Sequence, residues 1–236
     1  MTPLTLRGAK NARRARTLDP MTLDVEPVRA ERVRLADGPE LLIRQVQPHD
    51  KQLLADGLER LSSESRYRRF FRPLERFSER DLAYLTEIDH HDHEALAAVD
   101  PETAQLVGVA RYVRGAERHL AEVSVVVGDA WQRRGVATLL LEHLVERARA
   151  AGITHFAALV MDENTDAIRL FEHRVPGHAK PRRSRSGHLE LLIELPEPGG
   201  LEGSTLARVL RAVAHTAVVV NPYRRMREAI RRARGE

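Results

Sequence analysis

Cysteine is absent from the 236 residues, and that one absence removes disulfides, thiolate nucleophiles, zinc ribbons and iron–sulfur clusters together. Any covalent catalysis would need another group. No apolar run approaches the roughly 20 residues that span a bilayer, and the opening MTPLTLRGAKNARRAR lacks the apolar centre of a secretory signal. A soluble, cytoplasmic protein is the expectation. Lysine is nearly missing as well: Lys10, Lys51 and Lys180 are the lysines among 38 basic residues. Arginine's planar fork suits phosphate and carboxylate recognition, but genomic base composition accounts for the bias at less cost.

What is present is ordinary globular material, 42% hydrophobic and 31% charged with 14 Gly and 12 Pro, long enough for one domain with extensions and a sizeable core. The net charge of +4 is unevenly placed. Residues 1–20 carry five basic and one acidic side chain, and residues 201–236 carry eight basic and three acidic, so residues 21–200 sum to −5. The basic character belongs to the two ends. Nucleic acid is therefore not an expected partner of the body of the protein.

The organisation follows from periodicity and turn chemistry. Residues 1–36 read as a basic, poorly ordered extension. Asp37-Gly38 is a turn before the strand-like run Glu40 to Val46. Leu53, Leu54, Leu58 and Leu61 then recur at helical spacing. Ser62-Ser63 and Ser78 start two further helices. Strands are expected over Ala95 to Val99, Leu106 to Val113 and Leu120 to Val127. A strongly amphipathic helix carrying Leu141, Leu144, Val145 and Ala148 follows and ends at Gly152. Thr154 to Val160 returns as a strand, Asp166 to His173 as a helix and Leu189 to Leu195 as a last strand. Residues 198–236 read as a basic helical extension.

The informative segment is AEVSVVVGDAWQRRGVATLLLEHL, residues 121–144. A short loop between a strand and a helix start collects free N–H groups where the helix dipole also points, which makes an anion site. Gly135 permits close approach of backbone to a phosphate, Ala137 keeps the first turn small, and Arg133 and Arg134 add charge. The alternative phosphate loops, G-x-x-x-x-G-K-[ST] and G-x-G-x-x-G, do not occur.

Gln132-Arg133-Arg134-Gly135-Val136-Ala137 resembles the Q/R-x-x-G-x-G/A signature of the GNAT superfamily of N-acetyltransferases, and it stands between a strand and a helix as in that family. Asn164-Thr-Asp-Ala167-Ile168-Arg-Leu170-Phe171 resembles the family's second motif. Residues 60–74 (RLSSESRYRRFFRPL) and 88–96 (IDHHDHEAL) are similar to the first third of acetyltransferase domains in bacterial protein lysine acetyltransferases of the Pat type. The resemblance covers about residues 37–197. It implies an α/β fold with a mixed, twisted sheet of six to seven strands flanked by helices on both faces, and acetyl-CoA as co-substrate. It further implies that the amides of Arg133, Arg134, Gly135, Val136, Ala137 and Thr138 hold the pyrophosphate. Val125 and Val127 would pair with the pantetheine arm, an N–H near Val125 or Val126 would face the oxyanion, and Asn164 would contact the cofactor or cap its helix.

Amide formation needs a neutral amine, and a lysine of pKa near 10.4 is only about 0.04% neutral at pH 7, equivalent to about 4.6 kcal/mol of barrier. A general base is expected. Glu122 stands at the start of the cofactor strand, in an Ala-Glu-Val pattern similar to the position of the catalytic glutamate in Pat-type enzymes. Phe171 stands where many members of the family keep a tyrosine to protonate the leaving thiolate. A CoA thiol is acidic enough to leave unaided. Val175-Pro176-Gly177 also departs from the usual Gly-Phe, so the acceptor is not legible.

His90, His91 and His93 with Asp92 do not form a reliable ligand set, and no metal is expected; they read as turn residues, or one as lining the acceptor pocket. Tyr67, Phe70 and Phe71 read as core. The resulting expectation is an acetyl-CoA-dependent N-acetyltransferase acting on a primary amine, preferably a protein lysine. A small-molecule amine acceptor or a non-catalytic acyl-CoA sensor are the alternatives. Oligomeric state is not encoded in any motif.

Overall fold

The computed structural model describes residues 30–70, 73–161, 179–183 and 188–195. Among these residues, eight strands form one sheet: β1 Glu31–Arg34, β2 Glu40–Gln45, β3 His93–Val99, β4 Leu106–Arg114, β5 Leu120–Val127, β6 His155–Met161, β7 Ala179–Arg183 and β8 His188–Glu194. Their order across the sheet is β1-β2-β3-β4-β5-β6-β8-β7. Neighbours are antiparallel except β5 and β6, which run parallel. A parallel pair needs a crossover of a dozen residues or more, and α4, Val136–Ala150, supplies it.

The mixed sheet with helices on both faces is the expected architecture, with one strand more than the six or seven anticipated. Of the strands with no counterpart in the sequence reading, β1 lies inside the segment assigned to the N-terminal extension. It pairs antiparallel with β2, Val33 opposite Leu41. Edge strands bury only one side, so ERVR shows almost no apolar alternation to read. The tracts 162–178 and 196–236, with the second motif, Asn164, Phe171 and the C-terminal extension, lie outside the described residues.

Helix α4 packs on one face because Val136, Ala137, Leu140, Leu141, Leu144, Val145 and Ala148 recur every three or four residues and are all buried. They meet Leu96, Ala98, Ala110, Tyr112, Val123 and Val125 in one core cluster. Gly152 stops the helix in a left-handed conformation (φ 78°). Ile153 N–H donates to the Ala148 carbonyl and Gly152 N–H to that of Arg149, both at 2.9 Å, the paired bonds of a Schellman ending.

The opposite face is covered by α1 Lys51–Glu59, α2 Ser63–Phe70 and α3 Glu79–Thr86. Leu53 and Leu54 of α1 and Leu82 of α3 pack on Ala95, Ala97, Val99 and Val109. The turn into α1 is locked by Arg44, whose guanidinium donates to both Asp50 carboxylate oxygens at 2.6 and 2.7 Å. Ser78 caps α3: its hydroxyl accepts from Asp81 N–H at 3.2 Å, and the Asp81 carboxylate accepts from Ser78 N–H at 2.9 Å. Phe70 is buried and meets Phe77 edge to face at 5.6 Å. Tyr67 is not core, contrary to the sequence reading, but exposed. Its phenol end tolerates water, and the buried end of α2 is the one carrying Phe70.

Candidate functional site

Strands β5 and β6 are paired only at Leu120↔His155, Ala121↔Phe156 and Glu122↔Ala157. Beyond Glu122 they part. Strand β5 continues to Val127 against β4, and β6 continues to Met161 against β8. A fork therefore opens in the middle of the sheet, with Glu122 at its vertex.

The alternation of a strand decides which backbone groups line this fork. Gly128 N–H donates to the Val107 carbonyl at 2.8 Å, so Gly128 faces β4. Counting back, Val126 also faces β4, while Val127 and Val125 turn toward the fork. The Val127 carbonyl accepts from Gln132 Nε2 at 3.3 Å. Of the expected strand contacts, Val125 and Val127 are thus on the open side, and the Val126 amide is on the closed one. Gly108 lets the sheet close tightly here, since a Cβ on it would lie 2.9 Å from the Val126 carbonyl oxygen.

Past Val127 the chain makes a single 3-10 turn, Asp129–Trp131, and enters α4 through Gly135. Arg133 (φ 59°) and Gly135 (φ 89°) both adopt left-handed backbone, which curls the loop into the start of the helix. The first intrahelical bond is Leu139 N–H to the Gly135 carbonyl, 3.0 Å. The amides of Val136, Ala137 and Thr138 precede that bond and have no acceptor within the helix. A Cβ on Gly135 would meet nothing within 4 Å, so the approach to those amides is open. Arg133 is exposed beside them. Arg134 is turned away: it pairs with Asp37 of the β1–β2 turn and stacks over Trp131, 4.4 Å from the ring centre.

Asp129 and Gln132 contribute a clamp that the sequence did not disclose. The Asp129 carboxylate accepts from Ser62 N–H at 2.6 Å, from the Ser65 hydroxyl and from Gln132 Nε2 at 2.9 Å. It thereby ties the α1–α2 turn to the loop. Partial burial would raise its pKa, but hydrogen bonds from Ser65, Ser62 and Gln132 outweigh that and hold it below the ordinary value. Only the Ser62-x-x-Ser65 spacing gives a hint of it in the sequence.

Glu122 is buried, with 6% of its surface exposed. Ala121, Val123 and Val125 face α4, so Glu122, Ser124 and Val126 face the other side, toward α1 and α3. Across β4 the same face carries Arg111, directly opposite Ser124. Arg111 donates from Nη1 to His93 Nε2 at 2.8 Å and from Nη2 to the Leu85 carbonyl at 3.0 Å. Burial, then the Arg111 charge, push the His93 pKa down to about 3, so the ring is neutral and accepts. The three neighbouring histidines have separate duties: His90 meets Glu94 at 2.8 Å and His91 meets Asp92 at 3.0 Å. His93, expected in a solvated turn, begins β3 and belongs to this inner face. A cavity of about 320 Å³ lies on this face between α1, α2, α3 and β4–β5, and its wall includes Val126, Arg111 and the loop residues Gly128 to Trp131.

The profile of the Acetyltransferase (GNAT) family matches residues 58–175. Acetyltransferase Pat of Mycolicibacterium smegmatis is 32% identical over 133 residues, 56% of this chain and 40% of the relative. An acetyltransferase of Pseudomonas aeruginosa is 32% identical over 120 residues, 50% of this chain and 64% of the relative. The chain thus spans less than two thirds of the length of both curated relatives. The crystal structure of the GNAT domain of PAT from S. lividans superposes with a TM-score of 0.61 at 34% identity, covering 70% of this chain and 97% of that domain.

Proposed function

The chain belongs to the acetyltransferase (GNAT) family, and on that premise we propose that it moves an acetyl group from acetyl-CoA to a primary amine, preferably a protein lysine, with Glu122 as general base. The observation that carries this reading is the fork, which opens immediately past Glu122.

The residues present fit the co-substrate. The amides of Val136, Ala137 and Thr138 at the start of a 15-residue helix are suited to a pyrophosphate. Gly135 leaves room for it, and Arg133 adds charge. The fork edge of β5 offers Val125 N–H and C=O to an extended amide-bearing arm, as an added strand would be held. Arg134, already paired with Asp37 and stacked on Trp131, stiffens the loop rather than facing the phosphates. Acetyl-CoA supplies an activated thioester carbonyl. The Val125 amide, on the open side, is the backbone donor suited to the oxygen of that carbonyl.

Glu122 is buried at the vertex, and a carboxylate there can take the proton that the acceptor's ammonium sheds to become the neutral amine, which attacks the thioester carbonyl as the CoA thiolate leaves. The preference for a protein lysine rests on the Pat-type resemblance of residues 60–74 and 88–96. The test is acetyl transfer to lysine peptides and to small amines, followed by mass spectrometry, for the wild type and Glu122→Gln. Transfer to peptides that Glu122→Gln abolishes supports the reading. Transfer to small amines alone moves the acceptor to the alternative class. Acetyl-CoA binding with no transfer to any amine makes the protein a sensor and overturns the catalytic role.

A further inference from the structure

The cavity lined by Arg111 and Val126 holds a charge that acetyl transfer does not require. Arg111 is 1% exposed, yet its described partners are a neutral imidazole nitrogen and a backbone carbonyl, and neither is a carboxylate. Its Nε finds no hydrogen-bond acceptor among the described residues. Burial pulls its pKa down only to about 10, so it stays cationic near neutrality. A buried cation without an anionic partner is costly, and such groups are ordinarily paired or bound to a ligand.

The surroundings define what that ligand would be. Apart from Arg111, the wall is chiefly apolar, with Leu54, Leu58, Leu61, Phe70 and Leu85, and its other polar side chains are Arg60, Gln105 and Asp129. It runs to Val126 on the cofactor strand and to the loop that enters α4. At about 320 Å³ the space far exceeds an acetyl group, which occupies on the order of two or three water volumes of about 30 Å³ each. A ligand entering from the cofactor strand would need an apolar body and an anionic end.

We propose that this cavity is an acyl pocket for a donor whose acyl chain ends in a carboxylate, a short dicarboxylic acyl thioester, and that Arg111 is the carboxylate's partner. The inference rests on the acyl-CoA reading of the fork. Arg111 uses two of its five N–H groups on His93 and Leu85, which leaves Nε–H and one N–H on each terminal nitrogen for a carboxylate. His93 and the Leu85 carbonyl hold the guanidinium in place as positioning groups.

The test compares dissociation constants by calorimetry for acetyl-CoA, butyryl-CoA and succinyl-CoA, the last two matched in chain length but ending in methyl and carboxylate. The wild type is expected to bind succinyl-CoA at least about ten-fold tighter than butyryl-CoA, the scale of a charge-assisted pair. Arg111→Met, similar in length and uncharged, is expected to erase or invert that ratio. Equal or weaker binding of succinyl-CoA by the wild type overturns the proposal whether or not the variant folds. A succinyl preference that survives in Arg111→Met overturns the role of Arg111. Free succinate binding as tightly as succinyl-CoA overturns the acyl reading in favour of a bare anion site. Binding of acetyl-CoA without a succinyl preference refutes this inference alone, whereas failure of all three thioesters to bind refutes the acyl-CoA site and the pocket with it.

Discussion

The two faces of the sheet are made by alternate residues of the same strands, and they are chemically unlike. Under α4, strand β5 contributes Ala121, Val123 and Val125 to a closed apolar cluster. On the reverse face it contributes Glu122 and Ser124, and β3 and β4 add His93 and Arg111, of which Arg111 lines a cavity. A strand's period of two allows this separation, because each residue is committed to one side. One face can be packed for stability while its reverse carries buried polar groups that cost stability. On the proposed reading, function sits where the alternation delivers Glu122 to a buried face.

The comparison is sharpened most by Glu122→Gln, which changes the proposed functional face alone. Turnover should fall by about 10²- to 10⁴-fold, the usual contribution of a general base, while the dissociation constant for acetyl-CoA stays within a few-fold; steady-state kinetics with calorimetry checks both. Leu144→Ala does the reverse. Leu144 is fully buried under α4, so truncation should cost about 2–5 kcal/mol in urea denaturation, with the pH dependence of turnover in the folded enzyme unchanged.

A third effect comes from His93, which faces Arg111 and Tyr84 and lies near Asp89 and His90. Its folded pKa of about 3 lies below the ordinary 6.5, so between those values the unfolded chain binds a proton that the native ring refuses. The stability associated with neutral His93 is fully present above pH 6.5 and declines toward pH 3, by at most about 1.4 kcal/mol per pH unit. His93→Gln should flatten that part of the stability profile measured by denaturation from pH 7 to 4. The smallest change is expected from Asp129→Asn, which weakens the clamp on Ser62 and Ser65. A loss of about 1 kcal/mol is expected, as for a lost helix cap, together with a raised KM for the acceptor amine. An unchanged KM would remove this clamp from any role in acceptor binding.

Much of the fold was legible because its central elements repeat regularly. The alternation in Leu120 to Val127, the three- and four-residue spacing in α4 and the stop at Gly152 are local signals, and each holds in the structure. Strands β1 and β7 escaped because they are the two edges of the sheet, and ERVR and AKPRR carry charge or proline where a central strand would carry apolar residues. The loop from Gln132 to Ala137 announced itself as a motif. Arg111 and His93 did not, since it is the β3–β4 register that brings them together across 18 positions. Asp129 meets Ser62 and Ser65 across more than 60 positions, a juxtaposition at which only the Ser62-x-x-Ser65 spacing hints.

The most direct test of the account is the thermal midpoint of the protein with acetyl-CoA, with ADP as the control that lacks the pantetheine arm. At about 100 times its dissociation constant a specific ligand adds about 2.7 kcal/mol, and a rise of several degrees is expected with acetyl-CoA that ADP does not reproduce. A midpoint that acetyl-CoA leaves unmoved, or that ADP raises equally, would contradict the assignment of the β5–β6 fork as the place where the thioester is held.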